Sequence, residues 1–107
     1  MSTLLSNERK KQYCQKLARS LPVLRARLEI TQEELSTRLG VSRTTLACIE
    51  SGKKEMSWIA FIALSMLFLK NKKTEIVFKS LNIFDKELID FLMFEDKDKS
   101  ISLSYNA

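Results

Sequence analysis

The chain has 107 residues, of which 45% are hydrophobic, with 2 Gly, 1 Pro, 2 Cys, no His and a formal charge of +5. That length supports one small domain with modest extensions, and the scarcity of Gly, Pro and alternating β-branched runs predicts an all-helical fold. The lack of His removes the usual base near neutral pH and the commonest metal ligand, and Cys14 and Cys48 lack CxxC spacing, so no metal and no cofactor are expected. Two cysteines without a secretory leader suggest a reducing cytosol, and the apolar run over 58–69 is too short to span a bilayer. The charge is unevenly spread: residues 1–54 carry 11 Lys and Arg against 5 Asp and Glu, while residues 55–107 carry 7 against 8. A polyanion-binding surface needs such a bias, although ordinary solubilising charge produces it too.

In chain order, Asn7 is the expected cap of a helix running to about residue 19. Its basic residues, among them Arg9, Lys10, Lys11 and Lys16, read as solvated in preference to phosphate-binding. Tyr13, Leu17 and Leu21 are helix-spaced and read as packing. Pro22 is comfortable in a first turn, which predicts a new helix, or a bent continuation, over 21–28 with Leu21, Leu24 and Leu28 as its buried stripe.

Residues 31–54 form the centre of the pattern. Thr31 and Glu34 have capping-box spacing, flanked by Ile30 and Leu35 as a hydrophobic staple. Gly40 supplies a left-handed stop. Ser42 caps the next helix at once, with Val41 and Leu46 repeating the staple, and Gly52 ends it. Two helices so closely linked cross steeply, as in a helix-turn-helix. At about 100° per residue, Thr45, Leu46, Ile49 and Glu50 fall on one half of the second helix. Arg43, Thr44, Ala47, Cys48 and Ser51 fall on the other. On that second half only Arg43 is long, so the backbone can approach a base-pair edge, and a guanidinium pairs bidentately with guanine.

Ser57 caps a fourth segment, SWIAFIALSMLFL, with Met56 and Phe61 as staple. It is apolar nearly all round, so two of its faces need cover: one from the preceding helices, the other from the C-terminal segment or a second subunit. Short helices follow from Thr74 and from Asp85. The expected dimer or partner surface is Trp58, Phe61, Phe68, Phe84, Leu88, Phe91 and Leu92. Residues 96–107 read as a flexible tail.

The residues Leu24, Arg25, Leu28, Thr31-Gln32-Glu33-Glu34-Leu35, Leu39-Gly40-Val41-Ser42, Leu46, Ile49-Glu50, Gly52-Lys53 and Ser57 resemble the Xre, or lambda-repressor-like, helix-turn-helix family over roughly residues 20–69. The resemblance implies a lambda-repressor-like bundle of about five helices with a C-terminal helical extension. It also implies that Gln32 grips DNA phosphate and that Arg43, Thr44 and Cys48 face base edges. Arg25 and Glu50 are then an ion pair between helices; read alone, each is surface charge. Lys53 and Lys54 lie where the family places phosphate contacts, and a solvated loop tip explains them equally well. Many members carry Gln or Asn at the readout positions, whereas this chain has Thr44 and Cys48, so its target is not copied from a relative.

These readings divide the chain into a basic helix or arm (1–19), a DNA-binding domain (20–70), C-terminal dimerisation helices (71–95) and the tail. They predict a cytoplasmic, nucleoid-associated regulator, a repressor in the simplest case, binding double-stranded operator DNA as a homodimer. Gln32, Ser42, Lys53 and Lys54 would fix phosphates, and Arg43, Thr44, Ala47 and Cys48 would face bases. The alternative is an antitoxin whose C-terminal apolar surface binds a toxin. An enzyme is not expected, since Cys48 has no His to activate it and lies well along its helix.

Overall fold

Ser6 starts the first helix: its backbone is extended and its hydroxyl accepts a bond from the Arg9 amide at 3.0 Å, satisfying a free first-turn donor. In this computed structural model, which describes residues 4–94, α1 then runs unbroken over Asn7–Leu28. One expectation is corrected here: the cap is Ser6, one residue before Asn7. Of the two readings at residue 21 the continuation holds, because Pro22 sits inside α1. Proline offers no amide to the carbonyl four residues back and disfavours a helix interior by about 3 kcal/mol. Packing outweighs this: Tyr13, Cys14, Leu17 and Leu21 before it and Leu24 after it are all buried in one core. Pro22 itself is exposed.

The next elements are α2 (Gln32–Leu39), α3 (Arg43–Ser51), α4 (Trp58–Lys70), α5 (Glu75–Ser80) and α6 (Lys86–Leu92). Among the described residues all regular structure is helical. The predicted capping box is complete, with Glu34 N donating to Thr31 Oγ1 at 3.0 Å and Thr31 N to Glu34 Oε1 at 2.8 Å. Gly40 closes α2 at φ 83° and Gly52 closes α3 at φ 85°. An added Cβ would meet nothing within 4 Å at either position, so glycine is needed there for its left-handed backbone and not for space. Glu29 ends α1 in the same conformation (φ 56°) without that advantage.

The core joins Leu17, Leu21 and Leu24 of α1 to Leu35 of α2, Leu46 of α3, and Phe61, Leu64 and Phe68 of α4, each 0% exposed. The C-terminal segment folds back onto α4. Phe84 stacks 6.2 Å from Phe61, and Phe78 lies 6.3 Å from Phe68. Thr74, fully buried, turns its hydroxyl back to the Phe68 carbonyl at 2.8 Å and makes no cap bond to α5. The partner-surface expectation is corrected in part: Phe61, Phe68 and Leu88 are each 0% exposed inside this chain's own core, because the C-terminal helices cover them. Trp58, Phe84, Phe91 and Leu92 are half-buried against that core. The side of α4 left bare carries Ile59 (82% exposed), Ala63 and Met66 (61%). The tail over 96–107 lies outside the described residues, as does residue 95.

Polar contacts dock α6 on the start of α1. Asp85 Oδ1 accepts from Tyr13 Oη at 2.6 Å and caps α6 through Leu88 N at 3.0 Å. Arg9 donates to Tyr13 Oη at 3.0 Å and to Glu87 Oε1 at 3.0 Å. Lys10 Nζ lies 5.5 Å from the Trp58 ring centre and 5.6 Å from that of Phe91, within cation–π range. Burial alone would raise the Asp85 carboxyl. The bonds from Tyr13 and Leu88 and the charge of Arg9 outweigh it and hold the group below its ordinary value. Burial, then Asp85, pushes the Tyr13 phenol well up. Arg9 and Lys10, read from sequence as solvated, are therefore partly engaged in packing the C-terminal helices.

Candidate nucleic-acid interface

Gly40, Val41 and Ser42 are the whole link between α2 and α3. Val41 N and Gly40 N both donate to the Ser36 carbonyl, at 3.1 and 2.9 Å, which tightens the turn. Ser42 then accepts from Thr45 N at 3.0 Å and donates to Thr45 Oγ1 at 2.9 Å. Its hydroxyl proton is engaged inside the cap. Leu46 and Ile49 are buried beneath α3. Of the outer half, Arg43, Thr44 and Ser51 are exposed, while Ala47 and Cys48 are half-buried. Cys48 and Cys14 are both free thiols. Burial, with a smaller effect of Glu55, pushes the Cys14 thiol up to about 11, so it is not a ready nucleophile.

The orientation of α3 is fixed by one carboxylate. Arg25 grips Glu50 with a fork, Nε to Oε2 at 2.7 Å and Nη2 to Oε1 at 3.1 Å. Its remaining Nη1 reaches the Ile30 carbonyl at 3.1 Å. Gln32 Nε2 donates to the same Glu50 Oε1 at 3.1 Å. The Glu50 side chain is 7% exposed and that of Arg25 20%, so the two are a half-desolvated pair and not independent surface charges. The bond to Glu50 raises the Arg25 pKa further. The network links α1, the turn before α2, the start of α2 and α3. Gln32, expected at a phosphate, has its amide nitrogen on Glu50. It also lines, with Arg43, Thr31 and Arg25, a shallow depression between the starts of α2 and α3.

Lys53 and Lys54 follow α3 in an exposed loop. Their amides donate to the Cys48 carbonyl at 2.9 and 3.1 Å, closing the helix end. A cleft of about 580 Å³ opens between this loop and α1. Its rim takes Lys11, Gln15 and Arg19 from α1 and Ser51, Gly52 and Lys54 from the loop side. From the sequence the basic residues of α1, Lys11 among them, read as solvated and Gln15 is not singled out, although the i, i+4, i+8 spacing of Lys11, Gln15 and Arg19 signals one helix face.

Among the described residues there is no group of His, Cys, Asp and Glu that could hold a metal ion. No described helix is long and apolar enough to cross a membrane. A family model described as a helix-turn-helix domain matches residues 16–66, just under half of the chain. No curated protein and no solved structure matches it significantly. A cap-turn-cap unit with a buried seam and a polar outer face on its second helix is the arrangement that DNA-binding helix-turn-helix modules present to a major groove. Residues 16–66 are thus similar to a helix-turn-helix domain, a likeness consistent with the Xre/Cro-like family.

Proposed function

We propose that the protein is a sequence-specific DNA-binding regulator, acting as a repressor by occupying its operator as a homodimer. The observation that carries this reading is the outer half of α3. Arg43 and Thr44 stand exposed there, Ala47 and Cys48 are small enough to allow close approach, and the Arg25–Glu50 fork holds the helix in place. In this reading Arg43, Thr44, Ala47 and Cys48 face base edges, and Gln32, Ser42, Lys53 and Lys54 lie along the phosphates. Helix-turn-helix families are typically non-enzymatic, and the reading assigns no reaction. The homodimer is supported by the bare face of α4 at Ile59, Ala63 and Met66, because a soluble protein seldom leaves large apolar side chains aligned in water without a partner.

Substituting Arg43 tests the base-reading role. Arg43→Ala is expected to lose about 1–3 kcal/mol of discrimination at one base pair while keeping its affinity for random duplex. Competition binding against single-base variants of a selected site measures this. An equal loss on every sequence would contradict base reading by Arg43. A second reading, a toxin bound by the C-terminal helices, is supported by the exposed Ile76, Ile89 and Met93. A stable heterocomplex on co-expression with a neighbouring toxin gene product would favour it.

A further inference from the structure

The family match begins at residue 16, but α1 begins at Asn7. More than two turns of α1 therefore precede the matched domain, and they are basic. Lys11, Gln15 and Arg19 lie on one face of α1, all exposed, over about 12 Å of helix axis. That face forms one wall of the 580 Å³ cleft, and Ser51, Gly52 and Lys54 form the other. Ser51 also belongs to the outer half of α3, so the cleft is continuous with the surface presented by that helix.

Among the described residues, Arg19 and Lys54 make no ion pair. Lys11 meets only Glu55, at 3.6 Å, with both side chains about half or more in water; such a pair is weak and easily exchanged. The other carboxylate of the cleft, Glu50, is already held by Arg25 and Gln32. The floor is the apolar edge of the core, Cys14, Ile49 and Met56. The cleft is thus a cationic trough beside the end of the recognition helix, open on its outer side and shaped for an extended polyanion.

We propose that this trough binds the sugar-phosphate backbone flanking the bases read by α3, through Lys11, Arg19 and Lys54, with Gln15 as a neutral hydrogen-bonding partner. The proposal rests on the DNA-binding reading above but not on sequence specificity, because phosphate contacts carry no sequence information. It makes the N-terminal turns of α1 part of the DNA footprint and reverses their assignment as a solvated face.

The test uses the full chain and a random-sequence duplex of about 40 base pairs, roughly four helical turns. Affinity is measured by fluorescence anisotropy across a salt series for the wild type and for Lys11→Gln/Arg19→Gln. Each lost phosphate contact lowers the slope of log K against log salt by about 0.9, so the double variant is expected to lose about 1.8. Between 50 and 200 mM salt its deficit then shrinks about tenfold. An unchanged slope, with unfolding midpoints matched, overturns the proposal even if the wild type selects an operator. A reduced slope with no selectable operator upholds the trough and overturns only the sequence-specific reading. Failure of the wild type to bind any duplex overturns both.

Discussion

Glu50 accepts three side-chain hydrogen bonds from two residues, and that makes it the residue on which the pose of α3 depends. Its carboxylate takes the Arg25 fork and the Gln32 amide, and Arg25 spends its last donor on the Ile30 carbonyl. Glu50→Ala strands the Arg25 guanidinium with 20% exposure. It should destabilise the fold by about 3 kcal/mol, the lower end for breaking a buried pair, as read by urea unfolding. A change below about 1 kcal/mol would show that the pair is solvated in practice. The family resemblance pointed to this pair, because Arg25 and Glu50 occupy recognisable positions; read alone, each is surface charge. The role of Gln32 as its third member was not legible. A glutamine amide serves a phosphate or a carboxylate equally well, and only the folded geometry brings Glu50 within 3.1 Å.

At the scale of the element, short caps were readable and long-range docking was not. Thr31, Ser42, Ser57 and Asp85 all cap where expected, because a cap is a bond between residues two or three apart and its spacing is visible in the chain. The join at Pro22 stays open in the sequence, between a new helix and a continuation, for the opposite reason: burial of Leu17, Leu21 and Leu24 along one continuous stripe is a tertiary gain that local rules omit. The Tyr13–Asp85 bond spans 72 positions and left no local trace. It has a pH signature. Because the folded Asp85 carboxyl sits below its ordinary 3.8, its contribution is complete above that value and is lost as pH falls through the lower folded value. Asp85→Asn should therefore cost about 1 kcal/mol at neutral pH. Its deficit relative to wild type should hold down to about pH 5 and close below about pH 4. Urea unfolding at those pH values checks this, and a deficit that ignores pH would deny the charged bond its part.

At the scale of the whole molecule, α4 divides its apolar surface between two uses. Phe61, Leu64 and Phe68 face the chain's own core under α1, α5 and α6. Ile59, Ala63 and Met66 face outward. The sequence of α4 showed that two faces needed cover; it did not show that the aromatic residues take the inner one, since a helix apolar all round gives no phase to read. If the outer face joins two subunits, Ile59→Lys/Met66→Lys should yield a folded monomer by analytical ultracentrifugation. A wild type already monomeric at high concentration would contradict the dimer.

Selection of bound sites from random duplex DNA with the wild-type protein tests the central claim most directly. The expected result is an enriched inverted repeat whose half-sites are centred about one helical turn, 10–10.5 base pairs, apart, each read by one α3. Recovery of unenriched sequence, held only by weak and steeply salt-dependent binding, would contradict it.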